Sequence, residues 1–213
     1  MNPTWHLAGA QGTRHVNADA VASRGGRVFA LADGIGDNAV AAGAAKLAAT
    51  TAVMAASPRE GVLAAQQALR ALPSGDCVLV VAHVTDLGYR VAWVGDARAY
   101  TWDGTVVRQL THDHTIAQYF ADRGVEVAAH LANVVTSSVR TATDIGEVDT
   151  YHRGGLLLTS DGVHKGLSDT SIASLVRRSP DPAAALVSSA PGNDNATALM
   201  VERGAELPIF VAA

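Results

Sequence analysis

Apolar residues follow one another almost without interruption in several short segments, and glycine or aspartate brings each segment to an end. The clearest of these segments are residues 29–32, 77–85, 89–94 and 155–160. A short, continuous apolar run bounded by turn residues indicates a strand that is covered on both faces. Further strands are predicted at residues 4–12, 97–102, 105–110, 146–152 and 195–202.

Helical patterns separate these strands into groups. Small apolar residues recur at helical spacing over residues 38–57, and Ser57-Pro58 offers an N-cap and a first-turn proline for a second helix that ends near Leu72. A short helix is predicted over residues 116–123, and two more are expected to begin after Ser168 and Asp181.

Four predicted strands between residues 77 and 110 follow one another closely. Asp86-Leu87-Gly88 and Asp103-Gly104 supply hairpin turns between them, which predicts a meander. Because these strands are apolar on both faces, we expect the sheet to lie between another sheet and a layer of helices.

Composition and charge narrow the class of protein. A chain of 213 residues that is 48% hydrophobic can form one domain, and we assign residues 1–213 to it, with about 204–213 as a C-terminal tail. The net charge of −4 and the scattered basic residues argue against nucleic-acid binding. A single cysteine, Cys77, favours the reducing cytoplasm, and no apolar run is long enough for a membrane span.

Carboxylates recur where predicted strands end. Asp33 and Asp161 each end a predicted strand and are each followed by a glycine. Asp96 lies between two predicted strands, and Asp194 precedes the last strand. A single Asp-Gly pair is usually an ordinary turn, but four such acids indicate oxygen ligands for a hard cation. Asp96 could instead form a turn and pair with the nearby arginine.

The sequence His112-Asp113-His114 also admits two interpretations. These side chains could ligate a metal, but the other histidines lack the spacing of a histidine-based site. We therefore predict that Asp113 caps the start of the following helix.

Taken in order, six motifs resemble the metal-dependent serine/threonine protein phosphatases, the PPM or type-two-C family, in their compact bacterial form. The motifs are Arg14 with Asn17-Ala18-Asp19-Ala20, Ala32-Asp33-Gly34-Ile35-Gly36, Val94-Gly95-Asp96-Ala97-Arg98, Leu110-Thr111-His112-Asp113-His114-Thr115, Leu158-Thr159-Ser160-Asp161-Gly162-Val163, and Asp194-Asn195-Ala196-Thr197. The resemblance spans nearly the whole chain. It implies an α+β fold, a four-layer α-β-β-α sandwich of two antiparallel sheets packed face to face, with helices on both outer faces.

The resemblance also implies roles for individual residues. Asp33 would bridge two Mn²⁺ or Mg²⁺ ions that share a hydroxide nucleophile, and the Gly34 carbonyl would bind one of them. Asp161 and Asp194 would complete the other metal site, and Asp19 would hold metal-bound water. The remaining two roles belong to Arg14, which would bind the substrate phosphate, and to Asp96, which would help to bind a third ion with Asp161.

Three departures from the family pattern bear on activity. Ala18 stands where relatives carry a carboxylate or amide, Ile35 stands where some eukaryotic members have a histidine, and residues 136–140 replace a usual Thr-Arg-Ala-Leu-Gly segment. Residues 124–133 occupy the place of the family's substrate-selecting flap.

Three functions remain open on this sequence. The first is a phosphatase acting on phosphoserine or phosphothreonine in proteins, as a monomer that opposes a bacterial kinase. The second is a weak or inactive relative that binds phosphoproteins as a regulatory module, and the third is a phosphatase of small monoesters.

Overall fold

The computed structural model describes residues 4–128, 131 and 134–202. The predicted C-terminal tail, about 204–213, lies outside the described residues, as do parts of the predicted flap. Among the described residues, no helix is both long enough and apolar enough to cross a bilayer.

In the described part of the chain, ten strands form two antiparallel sheets of five. The first sheet has the order β1 (Thr4–Ala10), β10 (Ala196–Glu202), β9 (Gly155–Thr159), β6 (Arg98–Trp102) and β7 (Val107–Gln109). The second sheet has the order β2 (Asp19–Arg24), β3 (Val28–Gly34), β4 (Cys77–Val84), β5 (Tyr89–Val94) and β8 (Gly146–Thr150).

Six helices are described, and side chains predicted from the sequence cap several of them. They are α1 (Ala39–Ala52), α2 (Pro58–Arg70), α3 (Ile116–Ala121), α4 (Asp161–His164), α5 (Asp169–Arg178) and α6 (Pro182–Ser189). The side chains of Ser57, Ser168 and Asp181 accept hydrogen bonds from the first turns of α2, α5 and α6. Each cap satisfies a backbone N–H that has no partner within the helix.

Three apolar layers hold the sheets and helices together. Phe29, Leu31 and Val80 of the second sheet meet Leu156, Leu158 and Leu199 of the first between the two sheets. A second layer joins the second sheet to α1 and α2, and a third joins the first sheet to α5 and α6. The four-layer α-β-β-α sandwich predicted from the resemblance is confirmed.

The predicted meander is only half correct. The β4–β5 and β6–β7 hairpins form as expected, but they belong to different sheets. The chain crosses from one sheet to the other between β5 and β6, at Gly95-Asp96-Ala97. A Cβ on Gly95 would lie 2.1 Å from Val78 Cγ1, so only glycine lets the crossing pass this close to β4. The crossing places Asp96 at the end of the sandwich where Asp33 lies.

One further expectation was wrong, and one strand was missed. Asp113 does not cap α3, because the N-cap is Thr115, whose side chain accepts a hydrogen bond from Gln118 N. Asp113 is instead buried and paired with Arg98 at 2.7 Å. The segment Asp19–Arg24 was not predicted as a strand, although it forms β2 at the edge of the second sheet.

Candidate metal and phosphate site

Strand ends and loops converge on one polar cavity of about 140 Å³ at one end of the sandwich. Asp33 comes from β3, Asp96 from the crossing between the sheets, and Asp161 from the first residue of α4. The polar side chains that line the cavity are those of Arg14, Asp33, Asp96, Asp161, Asp194 and Asn195. Residues from distant parts of the sequence therefore share one small space.

Asp33 and Asp19 lie at the inner end of this site, side by side on β3 and β2. The two residues are direct partners in the antiparallel register. Burial raises the pKa of Asp33 well above its usual value, and Asp19, Asp161, Asp96 and Asp194 raise it further. So many carboxylates around one buried carboxylate favour either a proton or a cation at Asp33.

Asp19 is half-buried, and one of its oxygens is buried and unsatisfied. Its Oδ2 accepts a hydrogen bond from Ser160 Oγ at 2.7 Å, but its Oδ1 has no hydrogen-bond partner among the described residues. Burial raises the pKa of Asp19 to about 6. A buried oxygen without a donor is costly, so this atom is suited to a ligand that the protein itself does not supply.

Gly34 follows Asp33 at the point where β3 meets the start of α1. A Cβ on this residue would lie 2.6 Å from the carbonyl oxygen of Ala41 and 2.9 Å from that of Ala18. Glycine is therefore required by close backbone packing, and Gly34 lines the cavity as predicted. A metal-binding role for its carbonyl stays a prediction.

Basic side chains compensate the carboxylates at the outer part of the cavity. Arg14 lies in the loop between β1 and β2, and its Nη2 donates to Asp194 Oδ2 at a distance of 2.6 Å. Lys165 Nζ lies 2.7 Å from Asp161 Oδ2 and 2.9 Å from Asp96 Oδ2. Asp96 pairs with Lys165 and not, as the turn interpretation had predicted, with Arg98. A metal-binding role for Asp96 stays a prediction.

Asn195 fixes the loop that carries Arg14. Its side-chain oxygen accepts a hydrogen bond from Ala18 N at 2.8 Å, and its amide nitrogen donates to the carbonyls of Gln11 and Val16. These three bonds tie both ends of the loop to the residue after Asp194. Asn195 belongs to the last of the six motifs, but the sequence did not predict that its side chain holds the Arg14 loop.

Lys165 was also missed, although a signal was present. It stands four residues after Asp161, and side chains at that spacing meet on one face of a helix. The apolar run at residues 155–160 predicted a strand, and no pattern predicted the short helix α4 that follows. Without that helix, the spacing between Asp161 and Lys165 has no structural meaning.

The donor set fits hard divalent cations. Asp19, Asp33, Asp161 and Asp194 supply carboxylate oxygens, and the unsatisfied Asp19 Oδ1 and the raised pKa of Asp33 both call for positive charge. Within the described part of the chain, no three acidic, histidine or cysteine side chains already stand at the spacing of a closed metal site. Asp161 and Asp194 are instead engaged by Lys165 and Arg14.

The three departures noted in the sequence have different structural settings. Ala18 is buried and does not line the cavity, whereas Ile35 lines it and is half exposed. Residues 136–140 pack against α2 and the start of β4: Ser138 donates to Asp76, and Arg140 donates to the carbonyl of Leu69. The replaced segment is therefore part of the scaffold. The predicted flap, residues 124–133, is described only in part.

Solved structures that resemble this chain over nearly its whole length are bacterial serine/threonine phosphatases. The phosphatase PstP/Ppp of Mycobacterium tuberculosis has a TM-score of 0.81 and 22% identity, over 94% of this chain and 98% of that one. The PPM Ser-Thr phosphatase MsPP of Mycobacterium smegmatis, in complex with cacodylate, has a TM-score of 0.74 and 28% identity over the same shares.

A third similar structure contains metal. The catalytic domain of PstP in complex with two manganese ions has a TM-score of 0.73 and 23% identity, over 94% of this chain and 97% of that one. No protein-family model matches the chain, and no curated protein matches it in sequence. The chain has the fold of the PPM-type serine/threonine phosphatases, as the resemblance in its motifs predicted.

Proposed function

We propose that this protein is a metal-dependent phosphatase that hydrolyses phosphoserine and phosphothreonine in proteins. The observation that carries the proposal is the convergence of Asp33, Asp161, Asp194 and Arg14 on one cavity in this fold. The similarity to bacterial serine/threonine phosphatases supports it, including one in complex with two manganese ions.

Four carboxylates are assigned to the metal ions. Asp33 would contact both ions, Asp161 and Asp194 would complete one site, and Asp19 would act from behind Asp33 through its unsatisfied oxygen. When bound, two Mn²⁺ or Mg²⁺ ions activate a water molecule as the nucleophile and neutralise charge on the phosphoryl oxygens.

Arg14 is placed to hold the substrate. Its guanidinium is partly exposed at the cavity and has only one carboxylate partner in the described residues, so donors remain for a phosphate. A planar guanidinium presents several N–H groups in a fixed geometry, which suits the oxygens of a phosphomonoester. We assign Arg14 to orienting the phosphoryl group towards the acidic end of the cavity.

Departure of the leaving group requires a proton. Ile35 lines the cavity and has no proton to give, so the serine or threonine oxygen would be protonated from solvent. The cavity is open to solvent at this side, since Ile35 is half exposed. We expect the substrates to be products of a bacterial serine/threonine kinase and the protein to act as a monomer.

The regulatory-module alternative is not favoured, because Asp33, Asp161 and Asp194 are all retained and line one cavity. Hydrolysis of a phosphothreonine peptide and of an aryl phosphate should be measured with Mn²⁺, with Mg²⁺ and with a chelator. We expect release of phosphate from the peptide that depends on metal. Metal binding without any turnover would overturn the proposal, and turnover of the aryl phosphate alone would restrict it to small monoesters.

A further inference from the structure

Lys165 occupies a defined position between two carboxylates of the candidate site. It follows the single turn of α4, so its side chain returns alongside Asp161, four residues earlier. Its ammonium lies 2.7 Å from one oxygen of Asp161 and 2.9 Å from one oxygen of Asp96. Both distances are those of strong, charge-assisted hydrogen bonds.

The surroundings of this ammonium explain why it is held there. The Asp96 side chain is only 4% exposed, and burying a carboxylate without a positive partner is costly. The nearby Arg98 is not available to Asp96, because its guanidinium makes three hydrogen bonds to the carboxylate of Asp113. Arg14, the other basic group at the cavity, is bound to Asp194.

An ammonium and a divalent ion cannot both bridge this pair of carboxylates. A lysine ammonium is a compact charge with three donors, and a metal ion that ligated the same two oxygens would need the same space. Lysine is rare in this chain, whose 16 basic residues include only Lys46 and Lys165. One of the two, Lys165, contacts both carboxylates to which the resemblance assigns a third ion.

We propose that Lys165 replaces a third metal ion at Asp96 and Asp161 with a cation that is part of the chain. The inference rests on the proposed metal-dependent function. In this arrangement Asp96 holds the Lys165 ammonium, and Lys165 positions Asp161 to bind the two ions. The protein should then bind two divalent ions, and raising the metal concentration should add no third ion at this pair.

The direct test is the number of Mn²⁺ ions bound per chain, measured by equilibrium dialysis up to millimolar Mn²⁺. Wild type should bind two ions and Lys165→Met should bind three, because methionine keeps a similar length without charge. Lys46→Met, which removes the other lysine, should bind two. The double variant Lys165→Met with Asp96→Asn should return to two ions, because one of the two carboxylates that Lys165 contacts is then removed.

Two further variants remove the dependence on Lys165→Met folding correctly. Asp96→Asn in the wild-type background should leave the number of bound ions unchanged, because Asp96 then holds a lysine and no metal. Lys165→Asp, which adds a third carboxylate, should bind the extra ion at least about 10-fold more tightly than Lys165→Met.

The results separate this inference from the proposed function. A third ion in wild type that Asp96→Asn removes would overturn the role of Lys165, as would equal ion numbers in wild type and Lys165→Met. Wild type that binds no metal would contradict the proposed phosphatase. An additional ion in Lys165→Met would, even then, support the exclusion of metal by the ammonium.

Discussion

Asp33 and Asp76 lie close together at the same end of the second sheet, but their surroundings are opposite. Asp33 is near the end of β3, Asp76 directly precedes β4, and Ile35 N donates to the Asp76 carbonyl at 3.0 Å. The Asp76 carboxylate accepts hydrogen bonds from Cys77 N, Arg140 N and Ser138 Oγ.

Within the part of the chain that the structure describes, Asp33 has no comparable set of hydrogen-bond donors. Its carboxylate faces four other carboxylates, each of which raises its pKa. A carboxylate whose oxygens are satisfied by the protein stabilises the fold, whereas carboxylates gathered against one another destabilise it until a cation arrives. The same residue type therefore has a structural role at Asp76 and, on the proposed function, a metal-binding role at Asp33.

The largest effect is expected from Asp33→Asn. Loss of the carboxylate that would contact both ions should lower kcat/KM at least about 10³-fold, or about 4 kcal/mol in transition-state stabilisation. The metal-free variant should melt at a higher temperature than metal-free wild type, because one of several mutually repelling carboxylates is removed. Kinetic assays with Mn²⁺ and thermal melts with a chelator measure the two effects.

Asp76→Asn is the matched control for that change. It should keep its activity per folded molecule and lose stability, since its donors were arranged for a carboxylate. If both variants lost activity without losing stability, the distinction between the two aspartates would be wrong.

Much of this arrangement could be predicted because strand ends are readable in the sequence. The continuous apolar runs predicted most of the strands. The acids that follow these runs predicted the candidate site, because carboxylates at strand ends on the same side of a sandwich lie near one another. The resemblance implied two antiparallel sheets, but it did not assign individual strands to them. The sequence alone did not show the crossing at Gly95, because a glycine before an acid equally suits a hairpin turn.

Helix α1 shows a limit of periodicity. Val40 stands at the helical spacing of the apolar residues of this helix, but it is 52% exposed. The buried face consists of alanines, including Ala44 and Ala48, which let the helix approach β3 closely. When most residues of a helix are small, hydrophobic spacing does not identify which face is buried.

The second prediction concerns the stability of the metal-free protein against pH. Burial raises the pKa of Asp19 from 3.8 to about 6, so the folded state binds this proton more tightly than the unfolded chain does. The contribution of Asp19 to the free energy of unfolding is fully present below about pH 4 and is lost as pH rises through 6. The loss is on the order of 3 kcal/mol. Urea unfolding in chelator between pH 4 and pH 7 measures it.

Asp19→Asn is the control for this pH dependence. The variant should show a smaller loss of stability over the same range, because an amide does not titrate. Mn²⁺ added to wild type at pH 7 should restore stability by binding the folded state. Equal slopes in wild type and Asp19→Asn would show that Asp19 is not responsible.

Arg14 gives the third prediction. Arg14→Ala should lower kcat/KM on the order of 10²-fold, equivalent to about 2.7 kcal/mol, mainly through a higher KM for the phosphopeptide. Arg27→Ala removes an arginine that also pairs with an aspartate, Asp86, but at the opposite end of β2 and β3. This control should leave both constants unchanged. A fall in kcat with unchanged KM would place Arg14 in the chemical step and not in binding.

The smallest effect is expected in the scaffold segment that contains Arg140. Its Nη1 donates to the carbonyls of Leu69, Leu72 and Gly75, so it satisfies acceptors around the C-terminus of α2. Arg140→Ala should reduce stability by about 2 kcal/mol. For a chain of this size that loss lowers Tm by about 4–8 °C. Because Arg140 contacts Asp76 through its backbone N–H, the variant keeps that bond and should keep its activity.

Arg108→Ala, at an exposed position of β7, serves as the control and should change neither Tm nor activity. The informative contradiction would be an Arg140→Ala variant with unchanged Tm and reduced turnover. That result would mean that residues 136–140 act on the cavity and not on the fold. Asp76 and Asp33 would then belong to one functional unit, since Arg140 N and Ile35 N both donate to Asp76.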